Sequence, residues 1–203
     1  MEEQQNLEEL GQLHTDLAVE ARELAQERSG GKEPSGVITQ TEQQGETVIT
    51  RVHIQTEEAG RSIGKVPGYY VSLEAPGLRN RNRDQLEAIA ILVAKEIEGF
   101  IARMQFNPND LCLVVGLGNW DATPDALGPK VVEHILVTRE LGGSTPPEKA
   151  GALRPVAALA PGVLGTTGIE TGEIIMGLVQ KIKPRFLVVV DALASRSTQR
   201  MGA

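Results

Sequence analysis

The chain has 203 residues, enough to bury one sizeable core and of a length for one domain or one domain with appendages. Its formal charge of −7 and pI near 5.1 argue against a nucleic-acid surface, which needs a clustered positive field. No apolar run reaches the roughly 18 residues of a membrane span, the first residues are acidic and polar rather than signal-like, and the single cysteine excludes an internal disulfide, so a soluble cytosolic protein is expected. Aromatic residues make up 3% of the chain, so Gly, Ala, Val, Leu and Ile must fill the core. That suits a layered α/β protein with close helix-to-sheet packing.

In chain order, Leu7, Leu10, Leu13, Leu17, Ala21 and Leu24 form one apolar stripe, predicting a helix from about Asn6 to Arg28 that Ser29-Gly30-Gly31 stops. Residues 32–36 read as a linker. Val37 to Thr41 and Glu46 to Thr56 read as strands joined by a turn at Gln43-Gln44-Gly45, with Val48, Thr50, Val52 and Ile54 on one face. Gly68 to Glu74 is a further strand, closed by Pro76-Gly77. Residues 37–74 are thus expected to be a small β-rich insertion. Leu86, Ile89, Val93, Ile97, Ile101 and Met104 predict an amphipathic helix from Asp84, its candidate cap, to Met104, packed on the sheet.

Leu111 to Val115 is continuously apolar, as a parallel strand covered on both faces should be, and Cys112 within it reads as an inert core thiol. A helix from about Pro129 to Glu140, a strand from Val156 to Ala160, a helix from about Thr171 to Lys183 and a strand from Phe186 to Val190 follow. This alternation predicts an α/β fold: a mostly parallel central sheet with helices on both faces.

Three loops, 116–128, 161–170 and 191–197, leave the carboxyl ends of these strands, where open α/β sheets gather ligands and catalytic groups. They carry Asp121, Asp125 and Asp191. Two carboxylates sharing a site split their proton affinities, so one holds a proton while the other activates water, which suffices for peptide hydrolysis. Aspartates also cap helices and order turns, and spacing alone leaves both uses open. The GLGN loop lacks a third glycine and a following GK[ST], so it does not read as a dinucleotide or phosphate site. Gly162, Gly165, Gly168 and Gly172 precede a helix, where free N–H groups bind anions or glycines simply pack closely. Ser195 and Ser197 lack a nucleophile elbow and a suitably spaced histidine. His14 and His53 read as surface or partner contacts, and His134 follows Glu133 on the helix after the loop.

The words GLGNW, TPDALGP, APGVLGTTGIETGEI and DALASRS, with TDLAVEAREL near the start, closely resemble the germination protease family of spore-forming bacteria, from about Thr15 to Arg200. Family chains continue further, so the resemblance implies an amino-terminal portion. It implies a phosphorylase/hydrolase-like fold and an endopeptidase of the spore-core cytoplasm. That enzyme is made as a self-processing zymogen and degrades the small acid-soluble proteins that coat spore DNA; no cofactor or metal is assigned to it, and the sequence leaves metal dependence open. It also implies a homotetramer, with no direct nucleic-acid or membrane partner. The family's proposed catalytic aspartates fall on Asp125 and Asp191, with Asp121 a local rival. Backbone N–H groups near Gly116, Gly118 and Asn119, or Gly165 and Gly168, would then stabilise the oxyanion. Its processing bond falls on Asp16–Leu17, dividing a propeptide, 1–16, from a peptidase domain, 17–203, that is incomplete at its carboxyl end. Leu13 departs from the acidic residue that family substrates tend to place there. The same loop is similar to hydrogenase maturation peptidases, an alternative in which Asp125, Asp191 and His134 bind a metal. A non-catalytic binding or assembly module is the third reading.

Overall fold

The structure is a computed structural model that describes residues 15–80, 83–140 and 153–195. It divides into two compact units, Met1–Phe100 with Leu193–Ala203, and Ile101–Ala192.

The first unit is built on an antiparallel sheet of β1 (Val37–Gln44), β2 (Thr47–Ile54) and β3 (Gly68–Glu74), in the order β1-β2-β3. Gln44 pairs with Thr47, so strand β1 runs on through the expected turn and only Gly45 and Glu46 form the loop. Gly45 takes a φ of +60°, which a two-residue hairpin requires of a central residue. On β2, Thr50, Val52 and Ile54 are buried and Val48 is half-buried, the face the alternation predicts.

Two helices cover that face. Helix α1 (Ala18–Arg28) ends as expected: Gly30, at φ +69°, and Gly31 return their N–H groups to the Glu27 and Gln26 carbonyls. Helix α2 (Glu57–Ile63) is one that apolar periodicity misses, because it is short. Its ends are nonetheless marked in sequence, by Thr56, whose Oγ1 accepts the Ala59 N–H at 3.2 Å, and by Gly64 at φ +69°. Ala59 and Ile63 of α2 join Val37, Val52 and Ile54 in one buried cluster, with Ala25 and Tyr70 packed against it.

After the short α3 (Gly77–Asn80), α4 (Arg83–Arg103) begins one residue ahead of Asp84, placing that carboxylate in the first turn. Arg51 on β2 ties it to the sheet, its guanidinium reaching Glu96 on α4 (Nε to Oε2, 3.1 Å) and Glu42 on β1 (2.9 Å). Only Ile89 of the helix's apolar stripe is fully buried, while Leu86, Val93 and Ile97 remain 38–44% exposed.

The second unit holds a parallel sheet of β4 (Cys112–Gly116), β5 (Val156–Leu159) and β6 (Phe186–Val190), in the order β5-β4-β6. All five residues of the central β4 are buried, as its unbroken apolar run predicts. Strand β6 differs from that expectation: Leu187 and Val189 are 39% and 51% exposed, so only one of its faces is covered. The first helix after β4 is α5 (Leu127–His134), which starts before Pro129 and stops at Ile135 in extended backbone, six residues short of the expected end. The chain then turns to β5. Thr138 anchors it: its Oγ1 bonds the Arg154 carbonyl and accepts the Val156 N–H at 2.9 Å. A four-residue α6 (Leu164–Thr167) precedes α7 (Thr171–Ile182), which leads to β6.

At the amino end of this sheet two of the chain's three phenylalanines, Phe106 and Phe186, stack at 4.2 Å and 6°. Arg154 lies over the Phe186 ring at 5.2 Å and Arg185 over the Phe106 ring at 5.9 Å. Arg154 also donates to the carbonyls of Asn107 (2.8 Å) and Asp110 (3.0 Å), tying the segment before β4 to the start of β5.

Candidate active site

Strands β4 and β6 run parallel with Gly116 opposite Val190, and the Leu117 N–H extends the ladder by donating to the Val190 carbonyl at 2.8 Å. The loops carrying Asp125 and Asp191 therefore leave adjacent strands at the same carboxyl edge. Helix α5 closes onto that edge: a Cβ on Gly128 would lie 2.6 Å from the Val190 oxygen and would overlap Leu117, and one on Gly116 would overlap the Gly128 carbonyl. Only hydrogen at these positions lets the strand ends and the helix start meet backbone to backbone.

Within the first loop, residues 123–125 form a single 3-10 turn that leads into α5. The half-buried Asp125 turns back on the loop, its Oδ2 accepting the Asn119 N–H at 2.7 Å. Gly118, at φ +115°, makes that closure possible, since a Cβ there would overlap the Asp125 carbonyl. Asp121 is exposed and its own N–H donates to Asn119 Oδ1 at 3.0 Å, an arrangement of turn chemistry. Asp191 is exposed at the end of β6 and its Oδ1 accepts the Ala192 N–H at 2.8 Å.

Of the residues expected to stabilise an oxyanion, Asn119 directs its N–H to Asp125, and Gly168 directs its N–H to the Leu164 carbonyl at 2.8 Å as the left-handed cap of α6. Gly165 lies inside α6. His134 is exposed on α5 with Nδ1 2.9 Å from the Lys130 carbonyl. No group of three or more His, Cys, Asp or Glu residues among the described ones is arranged to hold a metal ion, so Asp125, Asp191 and His134 do not converge as a ligand set. Cys112 is 5% exposed, and burial pushes its thiol above the ordinary value, which suits a core residue. No helix among the described residues is long and apolar enough to cross a membrane.

Around the expected processing bond, Leu17 is the extended residue that precedes α1 (φ −84°, ψ 123°). The helix expected to run through Asp16 and Leu17 begins instead at Ala18, so the Asp16–Leu17 bond lies just outside it. Leu7, Leu10 and Leu13 fall outside the described residues. The Asp16 carboxylate accepts the N–H of Ala194, which stands three residues after Asp191 in the chain, at 2.9 Å. Two residues that the sequence pattern did not single out stand at these places. Lys65 contacts the carbonyls of Thr15 and Asp16. Trp120, the chain's one tryptophan, is half exposed on the loop beside Asn119, and its rarity in an aromatic-poor sequence was the available signal.

Comparison with known proteins bears on the whole of this arrangement. The family model described as germination protease matches residues 18–203. The germination protease of Geobacillus sp. (strain WCH70) is 44% identical over 197 residues, covering 94% of this chain and 53% of that protein. Those of Bacillus thuringiensis subsp. konkukian (strain 97-27) and Bacillus mycoides (strain KBAB4) are each 43% identical over 192 residues, covering 94% of this chain and 52% of theirs. The chain thus spans about half the length of the curated relatives it matches. By the extent of the family match and the level of identity, it belongs to the germination protease family.

Proposed function

We propose that this chain carries the aspartate pair of an endopeptidase that degrades small acid-soluble spore proteins during germination in the spore core. The observation that carries the reading is the pairing of Gly116 with Val190, which sends the Asp125 and Asp191 loops off neighbouring strand ends on one edge. One carboxyl group, protonated, donates to the carbonyl oxygen or the leaving nitrogen of the substrate peptide, while the other, ionised, takes a proton from the attacking water. The Asn119 N–H holds Asp125 in place for this work. An α/β sheet with chemistry at its carboxyl edge is also consistent with a phosphorylase/hydrolase-like fold.

The enzyme is made as a zymogen and cuts itself at Asp16–Leu17. The extended backbone at Leu17 supports this, because it leaves the Asp16–Leu17 bond outside the hydrogen-bonded ladder of α1. The complete protein, offered a small acid-soluble spore protein, is expected to release peptides and to mature to a form beginning at Leu17. Absence of hydrolysis by both the full-length protein and a form starting at Leu17 would overturn the reading.

A further inference from the structure

Both ends of the Asp16–Leu17 peptide bond are held. Lys65 Nζ donates to the carbonyl oxygen of Asp16 at 3.1 Å and to that of Thr15 at 2.6 Å. On the other side of the bond the Leu17 N–H donates to Thr15 Oγ1 at 3.3 Å, and the same hydroxyl, in a buried residue, donates to Glu20 Oε2 at 2.5 Å. The first carbonyl to enter the helical ladder of α1 is that of Leu17, which accepts the Ala21 N–H at 3.1 Å. The Asp16 carbonyl is thus spared from the helix and bound by a cation instead.

Lys65 itself stands on a fixed base. Its N–H donates to the Gly60 carbonyl at 3.0 Å where α2 ends, and a Cβ on Gly60 would overlap the Lys65 carbonyl, so the backbone there is tightly packed. A lysine ammonium carries three donors on a flexible stem, so from this fixed base Lys65 can reach two successive carbonyls at once.

We propose that Lys65 is a catalytic residue of self-processing, its ammonium binding the carbonyl oxygen of the scissile Asp16–Leu17 bond; this rests on the reading of that bond as the processing site. When water adds to the Asp16 carbonyl carbon, the oxygen that Lys65 contacts takes the negative charge, and a cation already within hydrogen-bond reach stabilises it without reorganising. The C–N bond then breaks. Asp16 keeps the oxygen of water as a new carboxyl group, and the Leu17 nitrogen takes a proton and leaves as an amine. The second contact, to Thr15, holds the ammonium in register along the chain.

The test follows maturation of the complete protein as wild type, Lys65→Met and Lys65→Arg, reading the first-order rate by intact mass and the cut bond by amino-terminal sequencing. Removing an enclosed oxyanion donor costs about 10²–10³ in rate; Lys65 is only partly buried, so Lys65→Met is expected to slow cleavage by roughly tenfold to a hundredfold. Lys65→Arg, with its charge and donors intact, is expected to keep most of the rate. Melting temperatures identify any folding defect, and Lys65→Gln serves in place of the methionine variant if that one unfolds. Maturation of a folded, uncharged variant at the wild-type rate and bond overturns the proposal, as does equal slowing of the arginine and methionine variants. A wild-type protein that matures at some other bond overturns the processing-site reading itself.

Discussion

Asn119 and Asp125 close a loop on each other, the backbone N–H of the first donating to the carboxylate of the second at 2.7 Å, and Gly118 lies where a side chain would overlap the Asp125 carbonyl and break that closure. Gly118→Ala meets both a φ of +115°, which an alanine adopts only under strain, and the Asp125 backbone oxygen. Peptidase activity of the complete protein is expected to fall by about 100-fold, the scale on which a displacement near 1 Å acts. Activity at the wild-type level in Gly118→Ala would mean that the loop does not position Asp125.

The stacked pair Phe106 and Phe186 should carry much of the cohesion of the parallel-sheet unit in a chain with so few aromatics. Phe106→Ala removes the ring stack and the guanidinium contact from Arg185. Full truncation of a buried phenylalanine costs about 3–5 kcal/mol, so for this half-buried ring we expect about 2 kcal/mol in denaturant unfolding. A change below about 0.5 kcal/mol would reduce the stack to a surface contact.

Glu33 accepts from Arg22 and from Thr39 Oγ1, and the Arg22 hydrogen bond chiefly holds its carboxyl below the ordinary glutamate value of about 4.5. A carboxyl lowered in the folded state contributes stability above its unfolded value and loses it as pH falls through the folded one. Glu33→Gln should therefore destabilise the first unit at pH 7, by under about 1 kcal/mol for so exposed a pair, and hardly at all well below pH 4. Unfolding curves at the two pH values check this, and an equal loss at both would exclude the ionic contribution.

Cys112 offers a chemical probe of the sheet. A thiol 5% exposed and pushed upward by burial has little thiolate at neutral pH, so iodoacetamide should label it only after unfolding. Labelling of the folded protein at the rate of a free thiol, read by mass, would show that β4 opens readily.

The legible parts of the fold were those in which one local rule sufficed. The apolar run 111–115 reads as a covered strand and forms β4, Gly30 and Gly31 supply the left-handed turn that ends α1, and alternation on β2 marks its buried face. Helix α2 was missed because seven residues hold too few apolar repeats, although Thr56 and Gly64 mark both its ends. Beyond the stop at Ile135, Thr138 bonds Arg154 and Val156 across the chain, a long-range tie that no local pattern records. In the site, Asp125 and Asp191 came from strand ends and family words, whereas the hold of Asn119 on Asp125 and of Lys65 on Asp16 depends on backbone closures that spacing does not reveal.

The central claim is that Asp125 and Asp191 act as a pair, and the most direct measurement is peptide release from a small acid-soluble spore protein by the complete protein carrying Asp125→Asn, Asp191→Asn or Asp121→Asn. Each of the first two removes an ionisable group while leaving an oxygen able to accept the Asn119 or Ala192 N–H, so the fold should persist. We predict losses of at least about 100-fold for each of these, the scale of general acid–base catalysis, and less than about threefold for the exposed Asp121→Asn. Full activity in folded Asp125→Asn or Asp191→Asn, or loss confined to Asp121→Asn, would contradict the account.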